Sequence, residues 1–352
     1  MSRKTIHDVA AAAGVSIKTV SRVLNDETNV RPDTRARVLA AIDALQFRPS
    51  LLARSLAGNR SHTLGFIYDD PSVHHLTDLQ RGAMARCREA GNRLLVQPFV
   101  ERGAELVREV VGFVTQTHLD GLIVTPPLSV LPDLAAALED RGIAHARIAP
   151  GDGATNVPTT DMDDVSAARE MTEHLLGLGH RDIAFIIGHP EHVSAHQRFM
   201  GFRLAMEAHG LLPPAGRVVQ GAYSFESGVA AARKLLAARS RPTAIFASND
   251  DMAAGVLLTA HDLGIAVPGE LSVAGFDDSF IAGTLWPRLS TVHQPSFDLA
   301  YEATGQLLAF LKTGEVPPRL RVPHRLVVRA STGRVPASAI AQAEGRGHSG
   351  CE

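Results

Sequence analysis

Apolar spacing along the chain changes character near residue 62. Before that point apolar residues recur at helical intervals in short segments. Ile6, Val9, Ala10 and Ala13 share one face of a first helix. Thr5 and Asp8 sit where a capping box needs them, and Gly14 is the C-terminal breaker. Ser16 opens a second helix, with Val15 and Val20 placed as a hydrophobic staple. Val20, Val23 and Leu24 turn inward, leaving Ile17, Lys18, Ser21, Arg22 and Asn25 on the outer face. Two short helices joined by a tight turn, the second with an outward row of hydrogen-bonding side chains, form a helix-turn-helix. A third helix starts at Pro32 and carries Val38, Leu39, Ile42 and Leu45 as its stripe. Ser50 can cap a short fourth helix over residues 51–57, which stops at Gly58 and is too short to be stable alone.

From residue 62 onward short apolar runs alternate with longer helical stretches. The runs at residues 63–68, 93–97, 121–125, 144–148, 183–187, 217–219, 244–248 and 271–276 read as strands. Strand and helix in repetition predict parallel sheets covered by helices on both faces. A Pro, Gly and Asp cluster at residues 149–158 predicts a break between two lobes, and residues 290–295 a return crossing between them. The segment from Val335 is rich in Ala, Gly, Ser and charge and is expected to be loose; it has no leucine heptad for helical tetramerisation.

A chain of 352 residues is too long for one ordinary core. Its net charge of -2 is unevenly spread: residues 1–60 carry +5 and the remainder -7. A small basic head on an acidic body suits a phosphate-binding module joined to a soluble domain. Cys87 and Cys351 are the only cysteines, so no disulfide framework is indicated. No apolar run approaches the ~18 residues that span a bilayer. The N-terminus has no apolar signal-peptide core, and a cytoplasmic protein without membrane contact is expected.

The order and spacing of several blocks carry a resemblance. Ala10, residues 14–16, residues 19–25, residues 31–35 and residues 51–57 together resemble the head of the lactose-repressor (LacI/GalR) family. The implied fold is an N-terminal all-α helix-turn-helix head with a hinge helix, joined to an α/β two-lobed, periplasmic-binding-protein-like body built on parallel sheets. The corresponding boundaries are 1–49 for the head, 50–60 for the hinge, 61–334 for the effector-binding and dimerisation body, and 335–352 for the tail. The resemblance implies a homodimer on double-stranded operator DNA. Ile17, Lys18 and Thr19 would face base edges; Ser16, Ser21, Arg22 and Asn25 would contact phosphates or bases; Thr5 and Thr34 would bind backbone phosphates. Arg54 flanks Leu56, which would act as an apolar wedge in the minor groove. Two departures stand out. Arg31 replaces the usual Ser cap, and Ile17 replaces a polar or aromatic residue, which would favour a thymine methyl at that step.

In open parallel sheets, ligands sit at the carboxyl ends of strands. Thr125, Arg147, Asn249, Asp250, Asp277 and Asp278 lie there. The resemblance places Asn249 and Asp277 on sugar hydroxyls and Arg198 on the ligand, a pairing that bidentate groups suit chemically. Asp250 and Asp278 are equally placed to cap the helices that follow. Tyr223 and Phe225 are candidate platforms for a sugar face. Val73, His75, Leu76 and Leu79 are a candidate apolar rim, with Met162 and Gln294 as further contacts. Trp286 fits the cleft mouth or, better, the core. The effector is expected to be a small molecule, a sugar or glycoside, with a purine corepressor as the alternative.

His189, His192 and His196 have a spacing worth testing against metal binding, but Pro190 breaks the geometry and no metal or cofactor is expected. The acidic pairs at 250–251 and 277–278 keep a sugar-modifying enzyme open, yet no P-loop, nucleophile elbow or dinucleotide fingerprint is present, and no nucleophile, base and orienter assemble from local motifs.

Overall fold

The computed structural model describes residues 4–24, 29–47, 60–69, 72–151, 156–214, 216–238 and 240–335. Three helices come first: α1 (Ile6–Ala13), α2 (Ile17–Leu24) and α3 (Pro32–Ala44). The Asp8 carboxylate accepts from the Thr5 backbone N–H at 2.7 Å and from its hydroxyl at 2.9 Å, fixing the start of α1. Gly14 ends it at φ 63°, a left-handed conformation that costs glycine little, and the Val15 N–H returns to the Ala10 carbonyl at 3.0 Å. Ser16 Oγ accepts the Thr19 N–H at 3.2 Å and starts α2. Val9, Val20 and Val38 are fully buried where the three helices meet. Leu39 departs from expectation: it is 48% exposed, because one helical step beyond Val38 turns it away from the core. Ala41 and Phe47 are buried in that core instead. Arg31 gives α3 no side-chain cap. Asn25, and the expected hinge helix with Arg54 and Leu56, lie outside the described residues.

The chain divides between His62 and Thr63, and all that follows forms a second unit. Its first lobe contains β1 (Thr63–Tyr68), α4 (Val73–Glu89), β2 (Arg93–Pro98), α5 (Gly103–Thr117), β3 (Gly121–Val124), α6 (Pro132–Asp140), β4 (His145–Ile148) and β5 (Thr159–Asp161). The second lobe continues with α7 (Asp164–Gly177), β6 (Ile183–Ile187), α8 (Val193–Ala208), β7 (Val218–Gln220), α9 (Phe225–Leu236), β8 (Ala244–Ala247), α10 (Asp250–Asp262), β9 (Ser272–Ala274), α11 (Phe280–Thr284) and β10 (Thr291–His293). The chain then returns to the first lobe with α12 (Ser296–Thr313) and β11 (Leu320–Arg321), and ends in the second with β12 (Arg325–Val327). The first sheet runs β11-β5-β4-β3-β1-β2 and the second β7-β6-β8-β9, both parallel. β10 and β12 form an antiparallel pair. Three segments therefore cross between the lobes: Met162-Asp163, Gln294-Pro295 and residues 322–324.

Strand alternation explains the cores. In β1, Leu64 and Phe66 face α4 and α12, whereas Ile67 faces α5 and α6. In β6, Ile183 and Phe185 face α7 and α8, whereas Ala184 and Ile186 face α9 and α10. Residues buried on both faces in this way read as continuous apolar runs, which is why these strands were visible in the sequence. β5 was not. The break expected at 149–158 lies too early, because the chain first adds Thr159–Asp161 to the first sheet and only then crosses. This strand is polar yet buried. Its groups are satisfied elsewhere: the Thr160 hydroxyl donates to the Leu299 carbonyl at 3.0 Å, and Asp161 receives Arg319 Nε at 2.7 Å. The strand expected at 217–219 begins one residue later, with Arg217 held in a bidentate pair by Asp182 at 2.5 and 2.6 Å.

Helices α4 and α12 approach closely at Gly82, where an added Cβ would lie 2.0 Å from the Phe297 carbonyl oxygen. Backbone cannot rotate away, so Gly82→Ala must part the helices. We expect a loss of about 1–3 kcal/mol by overpacking, measured by urea unfolding; wild-type stability in the variant would refute the close approach.

Candidate functional site

In the head, α2 presents Ile17 (41% exposed) and the exposed Lys18 outward, with Thr19, Ser21 and Arg22 half-buried beside them. Thr5 is exposed and Thr34 half-buried at the starts of α1 and α3. Val20 and Val23 anchor the opposite face, so the core sets which way the outward row points.

In the body, a cleft holding about 520 Å³ of space, part of it open to solvent, lies between the lobes. Arg198 lies at its centre and is 3% exposed. Its Nε donates to Asp164 Oδ1 at 2.7 Å, Nη1 to the Ser248 carbonyl at 2.6 Å and Nη2 to Gln294 Oε1 at 2.8 Å. Asp277 Oδ1 stands 3.5 Å from Nη1, and the guanidinium carbon lies 3.6 Å from the centre of the Phe276 ring. Asp164 directly follows the first crossing and Gln294 lies in the second. One side chain of the second lobe thus binds the second crossing and the residue that follows the first.

The loop that aims Asp277 is conformationally strained: φ is 115° at Asp277 and 58° at Asp278. It is held from several sides. Asp278 receives Arg329 Nη2 at 2.5 Å and lies 3.1 Å from His293 Nδ1, and the Asp277 N–H donates to the Val292 carbonyl at 2.8 Å. Tyr223 is left-handed too, at φ 61°. Its ring fills the space that Gly188 leaves, where a Cβ would come 2.1 Å from Cζ. Its hydroxyl is 3.2 Å from Ser194 Oγ, and its ring meets His192 edge-on.

Burial, with the positive charge of Arg198 beside it, depresses the His75 pKa to about 3; burial, with His189 and Arg198 nearby, depresses that of His192 to about 4. Burial opposes the charge on Arg198, but Tyr223, Asp164 and Asp277 outweigh it and raise the guanidinium pKa. Burial raises Asp164, against the pull of Arg198, and pushes Tyr223 up to about 12. At neutral pH the cavity wall therefore holds one guanidinium between two carboxylates, with neutral imidazoles around them. It suits a neutral, hydroxyl-rich ligand better than an anion.

The low imidazole values set a pH dependence. Below the ordinary histidine value of 6.5, the unfolded chain binds protons that His75 and His192 refuse in the fold. Their contribution is complete above 6.5 and is lost as pH falls toward 4. Asp250, pushed up to about 7 by burial, acts in the opposite sense: its stabilisation is present below 3.8 and is lost as pH rises through 7. Asp164 and Asp251, raised by burial, act with Asp250, while His145, His174 and His180, lowered by burial, act with His75 and His192. Five imidazoles outnumber three carboxylates, so the melting temperature should fall from pH 6.5 to pH 4.5, and fall less in His75→Gln. Identical pH profiles for the two proteins would exclude His75 as a source.

The structure gathers His75, Met162, Arg198, Tyr223, Asn249, Asp277 and Gln294 on this cavity. Other expected contacts lie elsewhere. Thr125 is buried and donates to the Ile67 carbonyl at 3.1 Å; Arg147 donates to the Ser129 carbonyl at 2.7 Å. Both end strands as expected, but strand parity aims them aside, and the following residues Pro126, Ile148 and Ala149 line the cavity instead. Val73 is 69% exposed on the first turn of α4, while Ser72 and His75 face inward. Leu79 is core and Leu76 packs against it. Phe225 is off the cavity wall, and Trp286, 92% exposed, is neither core nor cleft.

Capping roles also differ. Asn249, not Asp250, caps α10: its Oδ1 accepts the Met252 N–H at 3.0 Å and its Nδ2 donates to the Tyr223 carbonyl at 2.9 Å. One lone pair and one N–H of that amide remain for a ligand. Asp250 instead accepts from Thr291 Oγ1 at 2.7 Å and from the Ser279 N–H at 2.8 Å, and Asp278 is taken by Arg329 and His293 rather than by a helix end. Sequence reading missed Ser72, Asp164, His192 and Ser194. The only hint for the last two was their place in the turn leading to Arg198. His196 turns away to the Pro190 carbonyl at 3.2 Å.

Residues 5–50 match the family described as bacterial regulatory proteins, lacI family, and residues 172–332 match the periplasmic binding protein-like domain. Catabolite control protein A of Priestia megaterium is 32% identical over 344 residues, covering 93% of this chain and 99% of its own. The chain belongs to the lacI family of bacterial regulatory proteins. The HTH-type transcriptional repressor PurR of Escherichia fergusonii is 33% identical over 334 residues, covering 94% and 98%. Among solved structures, the Lac repressor dimer bound to operator and the anti-inducer ONPF aligns with TM-score 0.78 at 28% identity, covering 94% of this chain and all of that one. The transcriptional regulator CelR–cellobiose complex aligns at 0.71 with the same identity and coverage. The lacI-family fold, a helix-turn-helix head and a body of two parallel-sheet lobes, is the one described above, and the chain is a DNA-binding transcriptional regulator. Among the described residues no helix is long and apolar enough to cross a membrane.

Proposed function

We propose that this regulator is a cytoplasmic homodimeric repressor whose operator affinity is set by a neutral carbohydrate bound around Arg198. The observation that carries this reading is the double tie of Arg198: the group that would meet the ligand also holds Asp164 and Gln294, next to or within two crossings between the lobes. A ligand that draws on Asp277 and Arg198 redistributes those bonds and biases lobe closure. Closure is further bridged by Arg102, which donates to Asp69 at 2.6 Å within its own lobe and to Glu191 at 2.8 Å across the cleft. The cellobiose of the CelR complex supports a sugar ligand. The Lac repressor dimer on its operator supports two heads reading a pseudo-palindrome through Ile17, Lys18 and Thr19, with Thr5, Ser16, Ser21, Arg22 and Thr34 on adjacent backbone.

An enzymatic role is disfavoured by the chemistry at hand. His75 Nδ1 is 2.8 Å from Ser296 Oγ, but an imidazole held near pKa 3 is too weak a base to activate a hydroxyl at neutral pH. The test is a thermal-shift panel of neutral sugars, glycosides and purines, followed by operator binding with each hit. A sugar that raises the melting temperature and alters operator affinity is the expected result; stabilisation by a purine alone would replace the carbohydrate with a nucleobase.

A further inference from the structure

The loop that carries Asp277 is held by a part of the chain that is not on the cavity wall. Residues 277 and 278 both have positive φ, 115° and 58°, a region that only glycine enters freely. Asp277 lines the cavity; Asp278 does not, and meets Arg329 instead. Arg329 Nη2 donates to Asp278 Oδ1 at 2.5 Å and Nη1 to the Leu289 carbonyl at 2.9 Å. Resting on the reading above that the effector draws on Asp277, we propose that Arg329 is a positioning residue for effector binding. It clamps Asp278, keeps the loop in its strained conformation and so holds the Asp277 carboxylate where a ligand meets it.

The clamp is anchored at both ends. On the Arg329 side, its backbone N–H donates to Ser290 Oγ at 2.9 Å, the Ala330 N–H to the Arg288 carbonyl at 3.0 Å and the Ser331 hydroxyl to the Val273 carbonyl at 2.6 Å. The segment is thereby fastened to β9 and to the residues just before β10. On the loop side, the N–H groups of Asp277, Asp278 and Ser279 donate to the Val292 carbonyl at 2.8 Å, Thr291 Oγ1 at 3.3 Å and Asp250 Oδ2 at 2.8 Å. A neutral hydrogen bond contributes about as much as a left-handed residue costs, so backbone bonds of this kind do little more than balance two strained residues. The charge-assisted bond from Arg329 is roughly twice as strong and tips the loop. Two other groups face Asp278. Arg325 is 3.5 Å away and 65% exposed, so water screens it, and the His293 ring at 3.1 Å is a cation only when protonated. The Asp277 carboxylate stands 3.5 Å from Arg198 Nη1, so relaxation of φ at either residue withdraws it from the guanidinium that a ligand would share with it.

The experiment compares Arg329→Met, Arg329→Lys, Asp278→Ala and Asp278→Gly with the wild type, all as full-length protein. Peptide-resolved hydrogen exchange reads the loop, and calorimetric titration with glucose, cellobiose and adenine reads binding. Arg329→Met should speed amide exchange in residues 276–279 at least about tenfold and leave β6 and β8 as protected as in the wild type. It should weaken whichever probe binds by about the same factor, the ratio expected for one charge-assisted bond. Arg329→Lys should recover part of both, since lysine can reach Asp278 but lacks the fork that also holds Leu289. Asp278→Ala loses the clamp and keeps the strain, whereas Asp278→Gly loses the clamp and the strain at that residue. The glycine variant should therefore bind about tenfold more tightly than the alanine variant, an order that a merely structural ion pair would not produce. Wild-type exchange in Arg329→Met, or an Asp278→Gly variant no better than Asp278→Ala, would overturn the clamp. Binding of none of the three probes by the wild type would overturn the effector reading of Asp277 instead, and the exchange pattern alone would then accept or reject the clamp.

Discussion

Arg198→Met should destabilise the body by about 3–5 kcal/mol and abolish the effector response together, because the same buried charge serves both. The Coulombic partners Asp164 and Asp277 are nearly buried, and removing the guanidinium strands both carboxylates in the interior. Methionine fills most of the volume over Phe276, so the loss measures charge rather than a void. Chemical unfolding gives the stability change, and operator titration with and without ligand gives the response. A second variant separates the two effects: Arg198→Met combined with Asp164→Asn should recover part of the stability and none of the response. A single variant that keeps full ligand control would remove Arg198 from the mechanism.

Trp286→Glu is expected to convert the dimer to monomers and, through that, to cost the full operator its cooperative affinity. Trp286 is the only tryptophan, and it is 92% exposed in the single chain, with Phe280 on the neighbouring helix α11 at 77%. Beside it lies a solvent-open hollow lined by Leu257, His261, Ile265, Ala266, Val267 and Pro287. A large exposed aromatic with a second exposed aromatic on the neighbouring helix is the composition of an interface anchor, and such anchors carry about 2 kcal/mol or more, some thirtyfold in dimer dissociation. Sedimentation velocity at micromolar protein distinguishes the states. An unchanged dimer would place the contact between copies elsewhere.

What the sequence disclosed followed from periodicity. The head was legible because caps, breaker and apolar stripe all act within a few residues, as Thr5, Asp8, Gly14 and Ser16 show. The central strands were legible because burial on both faces leaves continuous apolar runs. Strand β5 was hidden because Thr159, Thr160 and Asp161 are buried by virtue of partners distant in sequence, Leu299, Gln306 and Arg319. In the cavity, chain position located the loops and most of the side chains that line it, but not every one. Arg147 and Thr125 failed by strand parity, Val73 by helix rotation. The roles of Asn249 and Asp250 were exchanged because a cap depends on where the helix begins, to the residue. Asp164 carried no local signal; it joins the cavity wall only when the crossings bring the lobes together.

The three crossings between the lobes also impose a sequence of events on synthesis. The first lobe needs α12 to cover Leu64, Phe66 and Leu79, and needs β11 to complete its sheet, yet both are made after the whole of the second lobe's parallel sheet. The second lobe in turn waits for β12 to pair with β10. A nascent chain that has emerged only to residue 290 owns two unfinished lobes and a broad apolar surface on α4. Neither lobe can be released early, truncated cleanly or exchanged as a cassette, and the body becomes a finished object only within its last few dozen residues.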